Sequence, residues 1–366
     1  MSREVLRGSV VGPSGALRHA LVSIAGGRIV EVELAGPGDP EAIIAPGFID
    51  LQVNGFAGHD AGDGEGAIGA ISERLPSTGV TGFLPTLISR PVAEGRRFVR
   101  AVADAPAPGA RVLGAHLEGP FLNPDYRGAH DERFLVLPAP ERVGEVLEQP
   151  PRMLTLAPEL AGGLEAVRRL ACAGVLVSAG HSGATYDEGL AAFEAGVRFA
   201  THLFNTMPRL HHRAPGLVGA ALDDSRVTAG IVADGVHVHH SLLALAGCAK
   251  GPRGLALTTD QVAAAGMPPG RYRLSGRDVI REGDTVRLDD GTLAGSAATM
   301  DLLLRRAAEQ FGLHRALAMA SRTPARVLGL HGRGRVAAGC DADLVVLGPD
   351  LRVRRTLVAG RTVYES

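Results

Sequence analysis

The sequence predicts an α/β protein: a (β/α)8 TIM barrel carrying a small β-sandwich domain formed by the N- and C-terminal segments. Three observations carry that expectation. Apolar, β-rich runs recur at residues 43–53, 82–87, 112–118, 154–158, 176–180, 199–203, 228–233 and 255–259, mostly separated by helix-length segments, as a buried parallel sheet requires. Three helix-to-strand joints repeat one signature, Ser77-Thr78-Gly79-Val80, Cys172-Ala173-Gly174-Val175 and Glu194-Ala195-Gly196-Val197. In each, glycine suits the left-handed position past a helix end and valine opens a buried strand. The two ends read as β-hairpin material, with short alternating runs at 20–24, 28–33, 343–347 and 352–358 broken by Gly-Gly and Pro-Asp. A doubly wound open sheet is the alternative, weakened because no GxGxxG turn follows the first run.

A chain of 366 residues, 45% of them apolar, suits one large domain and a smaller one. We expect the barrel over 46–333 and the small domain from 1–45 together with 334–366. No apolar run reaches 18 residues, and the opening MSREVLRGSVVG lacks the basic-then-apolar pattern of a signal peptide, so no membrane role and a cytoplasmic location are expected. A net charge of −1 gives no electrostatic footprint for nucleic acid. Cys172, Cys248 and Cys340 lie far apart without a CxxC partner, which reads as free thiols. Lys250 is the single lysine.

A barrel of this kind does its chemistry where strands end at the C-terminal face. The strand ends here are polar: Gln52-Val53-Asn54, His116-Leu117-Glu118, Gly180-His181-Ser182, Thr201-His202, Asp234 to His237, and Thr259-Asp260. One carboxylate and two imidazoles on neighbouring strands can hold a divalent metal with positions left open. Glu118, His181 and His202 fit that description. Such a metal would acidify bound water and polarise a carbonyl. Asp260 could then take a proton from the water as general base and return it to the leaving amine as acid. An unpartnered Glu or His facing inward would be costly to bury, so the set as a whole reads as functional. His116 is set aside as structural, on the argument that strand alternation points it away from Glu118. His19 and His59 read as loop or surface residues.

These segments carry a resemblance. Gly47-Phe48-Ile49-Asp50, His116-Leu117-Glu118-Gly119-Pro120-Phe121, Ser178-Ala179-Gly180-His181-Ser182 and Thr201-His202-Leu203-Phe204-Asn205 occur in unbroken order. Arg213-Ala214-Pro215-Gly216, Ala233-Asp234-Gly235-Val236-His237 and Gly291-Thr292-Leu293-Ala294-Gly295-Ser296 follow. The ordered set resembles the N-acetylglucosamine-6-phosphate deacetylases of the amidohydrolase superfamily. The resemblance implies a metal-bearing barrel with a β-sandwich from both chain ends, a homodimer, and an amino-sugar phosphate as substrate. It implies metal ligation by Glu118, His181 and His202 and catalysis by Asp260. His237 would hydrogen-bond the acetyl carbonyl. Substrate contacts are implied at Ala129, His130, Asn205, Thr206, Arg213, His237, Leu293, Ala294 and Gly295, with Arg213 binding the 6-phosphate from its own or the partner subunit.

The chain departs from that pattern in three places. Gln52-x-Asn54 stands where two-metal members carry His-x-His; amides are poor substitutes for imidazole, so one divalent ion per chain is expected, Zn2+ or Fe2+. Thr206 and Ala214 stand where alanine and glutamate are common, and Gln261-Val262 is bulkier than the usual residues after the base. N-Acetylgalactosamine 6-phosphate is the alternative substrate. A cyclic-amide hydrolase is a weaker rival, because its metals are bridged by a carboxylated lysine and Lys250 lies beyond the seventh strand. A catalytically inactive binding protein would not need the complete Glu-His-His-Asp set.

Overall fold

The protein is described from a computed structural model covering residues 3–11, 16–34 and 42–366. Residues 1–2, 12–15 and 35–41, part of the expected first terminal segment, lie outside the described residues. Eight parallel strands form the barrel: β1 (Phe48–Val53), β2 (Val80–Ile88), β3 (His116–Glu118), β4 (Met153–Leu156), β5 (Leu176–Ala179), β6 (Phe199–Ala200), β7 (Thr228–Ile231) and β8 (Leu255–Leu257). Each pairs with the next in sequence order. Helices α1 (Glu65–Arg74), α2 (Val92–Asp104), α3 (Pro140–Leu147), α4 (Gly163–Cys172), α5 (Tyr186–Ala195), α6 (Gly216–Asp223), α7 (His240–Lys250) and α8 (Met300–Phe311) follow the strands in turn. Phe48, Phe83, Phe193 and Phe199 are fully buried, each contributing about 1.5–3 kcal/mol through the apolar area it removes from water.

The repeated joint has the predicted backbone. Gly79, Gly174 and Gly196 have φ of 81°, 79° and 135°, a region a side chain enters only at a cost. The barrel closes between β8 and β1 with little backbone pairing: a Val53–Gln261 bridge, and the N–H groups of Asn54 and Gly55 donating to the Gln261 carbonyl at 2.9 and 3.1 Å. The buried Asp50 carboxylate reinforces this seam. It accepts from the Thr259 hydroxyl at 2.6 Å, the Thr258 hydroxyl at 3.3 Å, and the backbone N–H of Thr259 and Gln52, both at 3.2 Å.

Three sequence expectations need correction. The run 43–53 is two strands: Ile43–Pro46 pairs with Leu344–Leu347 in the terminal sheet, and only β1 belongs to the barrel. The chain crosses between them at Gly47, where a Cβ would lie 2.2 Å from Thr81. Strand β6 has two residues where five were expected, because His202 bends out of extended geometry with φ of 25°. Third, a three-stranded antiparallel insertion, Gly270–Leu274, Arg277–Glu282 and Thr285–Arg287, stands between β8 and α8 and was not anticipated.

The terminal segments form one seven-stranded sheet. Its order is Arg361–Glu365, Val353–Val358, Leu344–Leu347, Ile43–Pro46, Glu4–Val11, Leu17–Ala25, Arg28–Leu34. It curls over a core of Leu6, Val22, Ile24, Ile29, Ile44 and Leu357, so that Ile29 donates to the Cys340 carbonyl at 2.9 Å. The two chain ends therefore meet in a layer separate from the barrel sheet. Among the described residues, no helix is long and apolar enough to cross a membrane.

Candidate active site

The polar strand ends converge at the C-terminal mouth of the barrel. One candidate ligand atom from each of Glu118, His181 and His202 lies within 4.8 Å of the others, and all three residues are buried. Glu118 Oε1 is 3.0 Å from His202 Nε2 and 3.2 Å from His181 Nε2, and the two ring nitrogens are 3.1 Å apart. His181 Nδ1 faces the Tyr126 carbonyl at 2.9 Å. A carbonyl only accepts, so Nδ1 carries the proton and Nε2 of the neutral ring presents a lone pair. That lone pair faces a carboxylate oxygen, acceptor against acceptor. A cation placed among these atoms resolves the conflict, so the donor set fits a divalent metal.

Backbone geometry directs these side chains inward. His181, His202 and Asp260 have φ of 50°, 25° and 50°, a left-handed region that non-glycine residues occupy at a cost. The strands end abruptly at these residues, and surrounding bonds hold the turns. Glu159, in the loop just after β4, accepts from the Ser182 hydroxyl and the Gly183 N–H, both at 2.6 Å, and from Asn123 Nδ2 at 2.9 Å. It therefore fixes the loop that follows His181. The sequence analysis did not single out Glu159; its carboxylate just past the fourth apolar run was the available signal.

The amides at strand one have a definite task. Gln52 Nε2 donates to Glu118 Oε1 at 2.8 Å and to Asp260 Oδ1 at 3.0 Å, while its Oε1 accepts from the Thr201 hydroxyl at 2.5 Å. Asn54 Nδ2 adds a second donor to Asp260 Oδ1 at 2.8 Å. Two amides thus hold one carboxylate oxygen of Asp260 and leave the other for proton exchange. Burial and the Glu118 charge push the Asp260 carboxyl up from 3.8 to about 7, where it can both take and give a proton near neutrality. Burial alone would raise Glu118 too, but the imidazoles of His130, His181 and His202 gathered around it outweigh that and hold the carboxyl well below its usual range.

A cavity of about 250 Å³ opens over this group, small for a ligand pocket and suited to a single metabolite. Glu118, His181, His202, Asp260, His237, Ala129, His130, Asn205, Thr206, Leu293 and Gly295 all line it. Ala294 does not. It is fully buried in a cluster with Val262, Leu274 and Val279, so only its neighbours face the cavity. Arg213 is exposed on the loop before α6 and is not part of the lining. His130 Nδ1 accepts from the Ser89 N–H at 3.1 Å, which leaves its Nε2–H aimed at Glu118 Oε2, 3.5 Å away. Leu274 and Thr292 also line the cavity and were missed. Leu274 belongs to the three-stranded insertion, whose Ser275-Gly276 turn between alternating runs was a readable hairpin signal.

The argument that alternation turns His116 away from Glu118 is wrong. Strand side chains repeat every two residues, so both face the barrel interior. His116 lies a layer deeper, with Nε2 2.8 Å from the Thr155 hydroxyl and Nδ1 3.1 Å from the Leu51 carbonyl. Burial drives its pKa down from 6.5 to about 4. Depth, not direction, separates it from the ligand group.

Comparison with known proteins agrees with this geometry. The pattern of the amidohydrolase family matches residues 43–363. The chain is 40% identical over 342 residues to N-acetylglucosamine-6-phosphate deacetylase of Danio rerio, covering 88% of this chain and 84% of the relative. The crystal structure of N-acetylglucosamine-6-phosphate deacetylase from Thermotoga maritima superposes with a TM-score of 0.93 at 33% identity, covering 99% of this chain and 100% of that one. An aspartate-to-alanine variant of the Mycobacterium smegmatis enzyme, in complex with N-acetyl-D-glucosamine-6-phosphate, gives a TM-score of 0.92 at 34% identity over 99% and 100% of the two chains.

Proposed function

The chain belongs to the amidohydrolase family, and from that premise we propose that it hydrolyses the acetamide of N-acetylglucosamine 6-phosphate to glucosamine 6-phosphate and acetate. The observation that carries the reading is the convergence of Glu118, His181 and His202 beside Asp260 in one small cavity. Glu118, His181 and His202 would hold one divalent ion, zinc or ferrous iron by the character of a carboxylate and two imidazoles. When bound, that ion supplies Lewis-acid chemistry, acidifying water and polarising a carbonyl.

The chain's own residues do the rest. Asp260 takes the proton from the attacking water and delivers it to the amine nitrogen as the C–N bond breaks, so one carboxyl serves both halves of the reaction. His237 stabilises charge developing on the acetyl oxygen. Ala129, His130, Asn205, Thr206 and the Leu293–Gly295 turn surround the sugar. Arg213 lies outside the cavity of its own chain; a homodimer is the arrangement that would bring its guanidinium to the 6-phosphate. The three free cysteines suit a reducing compartment, and we place the enzyme in the cytoplasm.

The test is acetate release from N-acetylglucosamine 6-phosphate and from its galacto epimer, with metal-stripped protein and single metals added back. Metal-dependent turnover on the gluco sugar is expected. No turnover with any metal would overturn the reading.

A further inference from the structure

The residue that steadies the acetyl oxygen has a partner to which nothing so far assigns a task. Asp234 and His237 sit in the loop after β7, both side chains almost fully buried, with Asp234 Oδ2 2.7 Å from His237 Nδ1. The other carboxylate oxygen, Oδ1, accepts from the backbone N–H of Val236 and of His237, each at 2.9 Å. Those two donors fix the carboxylate, so Oδ2 has one direction left, toward the ring. An ionised carboxylate only accepts. His237 Nδ1 therefore carries a proton, and in a neutral ring Nε2 would then be a bare lone pair facing the cavity. A lone pair repels the oxygen that His237 is meant to stabilise. Only the doubly protonated ring can bond Asp234 and donate into the cavity at once.

We propose that Asp234 is the positioning residue that holds His237 as an imidazolium, so that a charged Nε2–H, not a neutral imidazole, meets the acyl oxygen. This rests on the deacetylase reading. His237 keeps its proton throughout; the one that moves is carried by Asp260. The surrounding charges are mixed. Asp234 supports the cation from its own loop, and Asp260 at the end of β8 acts on it favourably. Glu118, His181, His202 and His130 line the same cavity from β3 and the loops after β3, β5 and β6. From α8, an Arg306 guanidinium nitrogen lies 3.8 Å from where a Cβ on Gly235 would sit, and it opposes the cation. His239 and His240 follow at the exposed start of α7.

The arrangement makes an unusual forecast for Asp234→Asn. The two backbone donors claim the amide oxygen, so the amide NH2 must turn to the ring. It then donates to Nδ1, which becomes the acceptor, and the proton of the neutral ring moves to Nε2. The variant keeps a donor in the cavity but loses its charge. We expect kcat to fall about 10- to 100-fold, less than the loss of a whole donor, with KM nearly unchanged.

The experiment pairs steady-state kinetics of the two proteins with 15N NMR of the histidine rings in metal-free protein, using His237→Gln to assign the signal. Expected are a doubly protonated His237 ring in the wild type at neutral pH and an Nε2–H neutral tautomer in Asp234→Asn. A neutral wild-type ring, or a variant that keeps the Nδ1 proton and the wild-type kcat, overturns the proposal. Should Asp234→Asn fail to fold, the wild-type spectrum alone decides. Absence of turnover in the wild type would instead count against the deacetylase reading, since the ring spectrum is read without substrate or metal.

Discussion

Replacing Asp260 with asparagine separates its role as a base from everything else it does. Its Oδ1 accepts from Gln52 at 3.0 Å and Asn54 at 2.8 Å. An asparagine carbonyl at that place keeps both bonds, so the seam between β8 and β1 and the Glu118–His181–His202 group stay in position. What disappears is an oxygen able to take a proton. We expect kcat/KM to fall about 10²- to 10⁴-fold, which at about 1.4 kcal/mol per decade is roughly 3–5 kcal/mol of transition-state stabilisation. Stability should move the other way in the metal-free protein. Burial and the Glu118 charge raise the folded-state pKa from 3.8 to about 7. A group whose folded pKa is raised contributes stability that is fully present below 3.8 and lost as pH rises through about 7. The difference, about three units at about 1.4 kcal/mol each, is about 4 kcal/mol. The neutral asparagine has no such dependence. Metal-free Asp260→Asn should therefore match the wild type near pH 4 and exceed it by up to about 4 kcal/mol at pH 8. Chemical denaturation at both pH values, beside turnover of the metal-loaded proteins, provides the assay. Near-native turnover in the variant would refute the base assignment. A stability gap that does not open between pH 4 and 8 would refute the electrostatic account of the site.

Protein metallated during expression should retain about one divalent ion per chain; two equivalents surviving dialysis, with Gln52 or Asn54 as a ligand, would show that the amides do not exclude a second ion. For phosphate recognition, Arg213→Ala should erase most of the preference for the 6-phosphate over unphosphorylated N-acetylglucosamine, and Arg213→Lys should restore only part of it, because an ammonium keeps the charge without the planar fork. An alanine variant that still discriminates as strongly as wild type would remove Arg213 from the substrate. Burial raises Asp50 from 3.8 to about 6, so its contribution to stability is complete below 3.8 and is lost between about pH 4 and 6. The loss is about two units, roughly 3 kcal/mol. Asp50→Asn should flatten that part of the pH–stability curve, and an unchanged slope in denaturant titrations would contradict the assignment.

By itself the sequence determined the barrel, the joints and the chemical inventory, because each is written in local pattern. Apolar runs at regular spacing specify buried strands. Gly79, Gly174 and Gly196 mark the turns where only a residue without a Cβ enters freely. Glu118, His181, His202 and Asp260 stood out because costly polar groups recur where strands stop. What the pattern could not carry was distance and direction. That Gln52 would span Glu118 and Asp260, with Thr201 setting which way its amide faces, depends on four residues from four strand ends meeting in space. The split at Gly47 was hidden because both halves of the run are equally apolar, and only the position of Thr81 and the pairing with Leu344–Leu347 part them. His116 is structural, as expected, but not by alternation: its period points it inward with Glu118, and the depth that keeps it out of the ligand group has no signature along the chain. The pairing of Asp234 with His237 lies only three residues apart in sequence, yet which oxygen faces the ring follows from two backbone N–H groups that the folded loop alone places. Local periodicity sets what each segment becomes; the protonation and orientation of the groups at the site are set by neighbours that only the closed barrel brings together.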